Sequence, residues 1–331
     1  HFQELISPSS GVDNQRRLPF GLKIENNVLK ISDEELFISD PVNLLRIFRE
    51  SQKSSCQLSS RTLRQVREYS RAMTAAVRIR QDAGNVFLDI LRSPVGVTRI
   101  IRQMHETGVL GKFCPDFAKI TGHGQFDRYH HYTVDAHTIR AIAYARDVSL
   151  MGKNPTIRLA KKLMSELEKP ELLYLAVLYH DIAKGGGADH SKLGETLARK
   201  FCSRIGLGKR DTSLVAWLVL YHLRLSKVAQ HYNLSDPDVV RKFSEFIGDR
   251  ERLIYLFLLT LIDVAAVGPG TLTDWKCHLF EQLFRSVENS LISEQVDMAN
   301  QNQRTKEKVL DLISSVNEEE RVKIAESVKF L

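Results

Sequence analysis

Residues that could bind a metal ion are concentrated in the middle of this chain of 331 residues. His180 and Asp181 are adjacent at the end of an apolar segment, and Lys184 follows them. Imidazole nitrogens and carboxylate oxygens are side-chain ligands of divalent metal ions. Seven of the 11 histidines fall within one hundred residues, at positions 123, 130, 131, 137, 180, 190 and 222. This concentration predicts a functional site.

A second carboxylate lies inside the most apolar stretch of the chain. Asp263 stands within the run 253–267, which is otherwise almost entirely apolar and, at less than the roughly 20 residues of a membrane span, is expected to be a buried helix. A carboxylate in such surroundings is costly unless a cation or a metal neutralises it. A single histidine on an apolar helix is more often a hydrogen-bonded core residue than a ligand. Two carboxylates at the ends of apolar segments, with several histidines between them, nevertheless favour a metal site.

A glycine run follows Lys184. Gly185, Gly186 and Gly187 would let the backbone approach a phosphate closely, and the neighbouring lysine adds a positive charge. A glycine run alone is equally compatible with an ordinary loop. Together with the lysine, it suggests an element that faces phosphate.

The hydrophobic pattern predicts mostly helices to carry these side chains. Apolar residues recur at three- and four-residue steps over most of the chain, and residues 20–37 alternate enough for a short strand or two. Pro170 is expected to begin the helix that carries His180, and residues 211–213 are expected to cap the helix that leads to His222. The predicted fold class is all-α, with at most a small β element.

Composition restricts the class of protein. A hydrophobic content of 43%, a charged content of 26% and a formal charge of +7 are ordinary for a soluble globular protein. The 4 cysteines form no C-x-x-C pair and are expected to be free thiols in a reducing cytoplasm. No basic run with interleaved aromatic residues indicates nucleic-acid binding, and no segment is long enough to span a membrane. The chain begins with His1, so we expect it to be a piece of a longer protein.

The order of the candidate ligands resembles a known superfamily. His137, the His180-Asp181 pair and Asp263 occur in the order typical of the HD superfamily of metal-dependent phosphohydrolases. Longer phrases resemble, more narrowly, the bifunctional uridylyltransferase/uridylyl-removing enzymes that act on the PII nitrogen-signalling protein. These phrases are L-R-S-P-x-G-V-T at 91–98, H-x-Y-T-V-D-x-H-T at 130–138, H-D-I-A-K-G at 180–185, D-H-S at 189–191 and L-S-D-P-D-V at 234–239.

Departures from that family limit what the resemblance implies. The chain has no Gly-Ser dipeptide, so the family's nucleotidyltransferase motif is missing, and the family's C-terminal ACT domains have no counterpart. Ser235-Asp236-Pro237-Asp238 is better interpreted as a turn and helix cap than as a catalytic aspartate pair. The resemblance therefore implies the central part of such an enzyme. The implied domains are an irregular linker (1–25), a helical domain of the PII-uridylyltransferase type (26–125), an HD phosphohydrolase domain (126–290) and a charged helical tail (291–331).

The resemblance also implies roles for single residues. His137, His180, Asp181 and Asp263 would hold a first divalent ion, with Mn²⁺ or Mg²⁺ implied by the family and iron or zinc left open. His190 and His222 would complete a second metal position or contact the phosphate. Asp181 and Lys184 are the implied catalytic residues, and Lys184 with Gly185, Gly186 and Gly187 would contact the substrate phosphate.

The implied reaction is metal-dependent hydrolysis of the phosphodiester that joins UMP to a tyrosine of uridylylated PII protein, in the regulation of nitrogen assimilation in bacteria. Two alternatives stay open. The chain could act as an HD phosphohydrolase on a free nucleotide, or it could be a regulatory fragment without catalysis.

Overall fold

A computed structural model describes residues 16–33, 35–124, 132–185 and 190–315, without the side chains of 294–302 and 310–315. Within these residues the chain is mostly α-helical and contains one small sheet. The predicted fold class is confirmed. No helix among the described residues is long and apolar enough to cross a membrane.

The sheet lies at the beginning of the described chain. Its strands are β1 (Arg16–Leu18), β2 (Leu22–Glu25), β3 (Val28–Ile31) and β4 (Gln57–Leu58), in the order β1-β2-β3-β4, with only the β3–β4 pair parallel. Asn26 and Asn27 connect β2 to β3 with φ angles of 52° and 61°, which asparagine tolerates better than most residues. Residues 16–25, expected to belong to an irregular linker, are therefore largely strand, because a two-residue Asn-Asn turn closes a hairpin there.

Short helices follow the hairpin. They are α1 (Leu36–Ser39), α2 (Asn43–Lys53), α3 (Ser60–Tyr69), α4 (Ala75–Arg78), α5 (Gln81–Arg92), α6 (Val97–Glu106), α7 (Val109–Phe113) and α8 (Pro115–Ile120), with a 3-10 turn at Ser70–Ala72. Ser59 caps α3 by accepting a 3.0 Å hydrogen bond from the amide of Thr62. Gly96 and Gly108, with φ angles of 73° and 80°, precede α6 and α7. The left-handed residues break this stretch into short segments.

Longer helices build the second part of the chain. They are α9 (Val134–Arg146), α10 (Pro155–Glu166), α11 (Pro170–Tyr179), α12 (His190–Arg204), α13 (Lys209–Tyr221), α14 (Arg224–His231), α15 (Pro237–Ile247), α16 (Arg250–Val267) and α17 (Asp274–Ser315), with a 3-10 turn at Val148–Met151. Helix α16 is buried over most of its length and packs against α9, α11, α13 and α17. The apolar run around Asp263 is thus a central core helix, as predicted.

The observed N-termini of the helices can be compared with the predicted caps. Pro170 occupies the first turn of α11, and the Asp236 side chain caps α15 through a 2.9 Å bond from the amide of Asp238, both as predicted. The predicted cap at 211–213 is wrong, because α13 begins at Lys209. Asp211 lies instead in the first turn of α13, where a carboxylate interacts favourably with the helix dipole. Its carboxylate accepts a 2.8 Å bond from Lys169.

One hydrophobic core runs through both parts of the described chain. The Arg204 guanidinium, at the end of α12, donates to the carbonyl oxygens of Arg78 (2.6 Å) and Phe113 (2.9 Å) in the first part. A Cβ at Gly84 would lie 2.7 Å from the carbonyl oxygen of Ile205, so α5 and the end of α12 are in close backbone contact. The boundary expected near residue 125 therefore does not divide this core into two.

The C-terminal helix is longer than the predicted tail. Helix α17 runs without interruption from Asp274 to Ser315, so residues 274–290 and the charged tail share one helix. The remainder of the tail, 316–331, lies outside the described residues. The 4 cysteines are free, as predicted, and all of them are buried.

Candidate metal centre

Five elements bring the predicted ligands to one place. His137 lies in the first turn of α9, Asp263 near the end of α16, and His190 is the first residue of α12. His180 and His222 directly follow the last residues of α11 and α13. Helix ends and one central helix therefore point their polar side chains at a common region.

The His180-Asp181 pair lies in a turn. Helix α11 ends at Tyr179, and residues 180–185 form turns, so His180 lies directly after the helix that was expected to carry it. Because the chain turns here, the side chains of His180 and Asp181 can approach the same point, which adjacent positions on a straight helix would separate by about 100°.

The first group of candidate ligands is closely packed. The Nε2 atoms of His137 and His180 lie 3.1 Å apart, and both lie close to Oδ1 of Asp263, at 3.2 and 3.5 Å. Oδ2 of Asp181 lies 3.4 Å from Nε2 of His180 and 3.9 Å from Nε2 of His137. The four donor atoms fall within 4.8 Å of one another. This is the spacing expected of atoms that surround a single ion.

Backbone carbonyls orient two of the imidazoles. Nδ1 of His180 donates to the carbonyl oxygen of Val177 at 2.8 Å, and Nδ1 of His222 donates to that of Val219 at 2.7 Å. A carbonyl oxygen only accepts, so each ring carries a proton on Nδ1 and directs Nε2 at the cluster. Outer hydrogen bonds of this kind fix the tautomer of a histidine that binds metal.

A second group of candidate ligands shares Asp181 with the first. Donor atoms of Asp181, His190 and His222 also lie within 4.8 Å of one another. Oδ1 of Asp181 faces Nε2 of His222 at 3.9 Å, whereas Oδ2 faces the first group. The rings of His190 and His222 have centroids 6.0 Å apart. Asp181 is thus placed to bridge two neighbouring positions.

Lys184 is hydrogen-bonded to the shared carboxylate of Asp181. Its Nζ donates to Oδ2 of Asp181 at 2.7 Å, and its side chain is 27% exposed. Gly185 follows with a φ of 88°, and a Cβ at this position would collide with the imidazole of His123. Glycine is therefore required at 185 by the turn itself. Gly186 and Gly187 lie outside the described residues.

The electrostatics of the cluster follow from burial of opposite charges. Burial works against ionisation of His180, but Asp181 and Asp263 outweigh it and raise the pKa of His180 to about 9. Burial would raise the pKa of both carboxyls, yet His180 and Lys184 lower that of Asp181 to about 2. His137 and His180 hold the pKa of Asp263 well below its usual range. The pKa of His222 is lowered by burial and by the neighbouring charge of His180.

The donor set fits a divalent metal ion. His137, His180 and Asp181 are at most 3% exposed, so these polar atoms have little access to solvent. The imidazoles present nitrogen donors towards one another, an arrangement that requires a proton or a metal between them. Nitrogen and oxygen donors of this kind bind first-row divalent ions.

His123 and two backbone carbonyls contribute to the site, although the sequence did not predict a role for them. His123 packs over the turn at Gly185, although only its place among the clustered histidines was visible in the sequence. The carbonyls of Val177 and Val219 orient the histidines three residues later, and backbone acceptors leave no signal in residue identity. His130 and His131, two of the histidines concentrated in this part of the sequence, lie outside the described residues.

Two family models match the chain. Residues 22–113 match "Uridylyltransferase GlnD third domain", and residues 134–266 match "HD domain". The second range contains all the candidate ligands described above. An HD domain with a buried His/Asp cluster supports a metal-dependent hydrolase.

Curated relatives agree with these matches. A bifunctional uridylyltransferase/uridylyl-removing enzyme of Nitrobacter winogradskyi is 41% identical over 267 residues, covering 80% of this chain and 29% of the relative. The enzyme of the same name from Pseudomonas putida strain GB-1 is 34% identical over 318 residues, covering 95% of this chain and 35% of the relative. The chain thus spans about a third of these relatives. The family resemblance predicted from the sequence is confirmed.

Solved structures give a weaker comparison. The Thermotoga maritima CCA-adding enzyme complexed with tRNA aligns with a TM-score of 0.49 and 13% identity, covering 79% of this chain and 52% of that one. A structural similarity with this TM-score and sequence identity does not indicate a function.

Proposed function

We propose, because the chain belongs to the family of bifunctional uridylyltransferase/uridylyl-removing enzymes, that its HD region hydrolyses the phosphodiester between UMP and a tyrosine of uridylylated PII protein. The observation that supports this most directly is the buried group His137, His180, Asp181 and Asp263. The proposed partner is the PII protein and the proposed location is the bacterial cytoplasm.

The four residues of the first group would hold the ion, with Mn²⁺ or Mg²⁺ proposed. When bound, a divalent ion lowers the pKa of water and polarises a phosphate oxygen. His180 enters this arrangement with its tautomer already set by Val177, so its nitrogen needs no reorientation. His190 and His222 would hold a second ion or contact the phosphate.

Lys184 has two tasks in this proposal. Its 2.7 Å bond to Oδ2 of Asp181 fixes the orientation of a carboxylate that two groups of ligands share. Its positive charge would also stabilise the negative charge that develops on a phosphate bound at the cluster. Gly185, Gly186 and Gly187 are proposed to let the backbone approach the same phosphate.

The test is release of UMP from uridylylated PII by this chain, with Mn²⁺, with Mg²⁺ and with chelator. We expect release that requires metal and that is abolished in the double variant His180→Ala/Asp181→Ala. His231→Ala/Asp238→Ala is the matched control, because both residues are exposed and neither belongs to a group of candidate ligands. Full release by the His180→Ala/Asp181→Ala variant would contradict the proposal. Turnover of free nucleotide esters, without release from PII, would favour the free-nucleotide alternative.

A further inference from the structure

A groove of about 620 Å³ opens beside the second group of candidate ligands. Ser191 and Leu223, the residues that follow His190 and His222, both line it. The groove therefore begins where the candidate metal centre ends. We refer to it as the Tyr221 groove, after the aromatic residue that precedes His222.

Aromatic side chains form one wall of the Tyr221 groove. Tyr221 and Phe246 line it, both are partly exposed, and their rings meet edge to face with centroids 4.8 Å apart. Trp217 packs behind them, 5.4 Å from Tyr221 and 5.5 Å from Phe246 between centroids. Partly exposed rings held by other rings offer a rigid face on which a planar base can stack.

Cations without carboxylate partners line the same groove. Arg224 and Lys227 are exposed and line it, and within the described residues no carboxylate oxygen lies within 4 Å of either side chain. The Arg224 guanidinium lies over the ring of Phe246, 5.5 Å from its centroid. Glu195, the carboxylate that lines the groove, already accepts a 2.9 Å bond from Arg199. The groove thus presents positive charge that the described protein leaves uncompensated.

We propose that the Tyr221 groove binds the nucleotide part of the substrate. The base would pack against Tyr221 and Phe246, and Arg224 and Lys227 would donate to oxygens of the nucleotide. A nucleotide combines an aromatic base with an anionic group, which matches a groove that combines aromatic rings with uncompensated cations. The scissile phosphate would then lie at the mouth shared by the groove and the ligands His190 and His222. This inference rests on the function proposed above.

Trp217 provides a direct readout that does not depend on hydrolysis. The chain has 2 tryptophans, and Trp275 is 60% exposed on α17, so Trp275→Phe leaves Trp217 as the single reporter. Titration of this variant with UMP in the presence of Mg²⁺ is expected to give a saturable change in fluorescence. Ribose 5-phosphate, which lacks the base, should give no comparable change. Equal responses to both compounds would overturn the role of the aromatic wall.

Substitution of the cations tests the other half of the proposal. Arg224→Gln/Lys227→Gln keeps much of the apolar stem but removes the charge, and we expect the dissociation constant for UMP to rise at least about tenfold, as for the loss of one charged hydrogen bond. Arg241→Gln is the matched control, since that arginine pairs with Glu245 and Asp238 outside the groove. Unchanged UMP binding in the double variant would overturn the proposal.

Two measurements separate this inference from the function on which it rests. If UMP is released from uridylylated PII but the groove variants keep the KM and the fluorescence response of the starting protein, the groove proposal is wrong and the proposed function stands. If the KM rises while UMP binding by the free protein is unaffected, the groove contacts the PII chain instead, which also overturns the nucleotide proposal. If UMP binds in the groove and no release occurs, the proposed function is wrong.

Discussion

Two clusters of charged side chains in this molecule are built on different principles. In the first part of the chain, Asp40 and Asp82 each meet the guanidinium groups of Arg46 and Arg80, with N–O distances of 2.5–2.8 Å. These side chains are 15–42% exposed. Each carboxylate therefore has a permanent positive charge beside it and access to water, and the cluster is complete without a ligand.

Among the described residues, the second cluster has one permanent cation, Lys184, for two carboxylates. Asp181 is 3% exposed and Asp263 16% by side chain, and most of the groups that face them are imidazoles. Lys184 supplies a permanent cation to Asp181 only. In the absence of metal, a proton on His180 compensates part of the remaining charge, which is why its pKa is raised to about 9. Burial of carboxylates whose charge is only partly neutralised, rather than the number of charged residues, therefore distinguishes a candidate metal site from a structural ion-pair network.

The largest effect is expected from the carboxylate of the central helix. Asp263→Asn should reduce metal-dependent release of UMP by about a thousandfold or more, because a ligand charge and several kcal/mol of metal stabilisation are lost together. Asp82→Asn, the matching change in the ion-pair network, should leave the rate unchanged. Steady-state rates of UMP release measure both effects, and circular dichroism checks that both variants are folded. Comparable losses in the two variants would remove the distinction between the clusters.

Loss of His222 should affect the second group alone. If the second group holds an ion, His222→Ala is expected to reduce the metal content from two ions per chain to one, since the groups Asp181-His190-His222 and His137-His180-Asp181-Asp263 share only Asp181. Calorimetric titration with Mn²⁺ gives the stoichiometry, and His231→Ala serves as the exposed histidine control. A variant that loses all bound metal, or none, would show that the two groups are not separate positions.

The proton on His180 makes metal binding depend on pH. The ring is protonated in the metal-free protein below about pH 9 and must be neutral to bind an ion. Metal affinity should therefore rise as the pH increases, by up to about tenfold per pH unit between pH 6 and 8, with release of about one proton. Calorimetry in buffers of different ionisation enthalpy measures this release. Binding without proton release would mean that His180 is neutral in the metal-free cluster.

The turn between the ligands and Lys184 should be sensitive to a single methyl group. Gly185→Ala places a side chain at a φ of 88° and against His123, whereas Gly122→Ala has a similar φ of 71° and nothing within 4 Å. The left-handed conformation costs about 1–2 kcal/mol of stability in both variants. Any further loss of stability in Gly185→Ala therefore measures the clash of the new methyl group with His123. Thermal unfolding measures the difference, and His123→Ala should reduce it. Equal stabilities of the two alanine variants would contradict the contact.

The smallest effect is expected in the ion-pair network. Asp82→Asn should lower the free energy of unfolding by about 1 kcal/mol or less, since its partners are partly exposed and screened by solvent. High salt should narrow the difference between this variant and the unsubstituted protein. Urea unfolding at low and high salt tests both statements. A loss of several kcal/mol would show that this network is as dependent on its charges as the buried cluster.

The residue types of the site could be predicted from the sequence because burial and chemistry conflict there. A carboxylate within an apolar helix, as at Asp263, has few stable solutions, so its importance is visible without coordinates. The helical nature of most segments was equally visible from the spacing of apolar residues. The alternation over residues 20–37 predicted a short strand or two, although β1 and β2 lie within residues assigned to a linker.

Other features depended on contacts that residue identity does not encode. The turn that begins at His180 takes Asp181 out of the helix, although the sequence there shows no early helix breaker. The start of α13 was misplaced because Asp211 is favourable both as a cap and within the first turn. The Tyr221 groove is formed by side chains of α12, α13, α14 and α15, so no local sequence pattern predicts it.

Crystals of this chain soaked in Mn²⁺ and measured near the manganese absorption edge would show whether the buried His/Asp cluster binds a metal ion. An anomalous peak enclosed by His137, His180, Asp181 and Asp263 is expected, and none beside the Asp40–Arg46–Arg80–Asp82 network. A cluster that stays without anomalous density at saturating Mn²⁺, or a peak only elsewhere on the molecule, would contradict it.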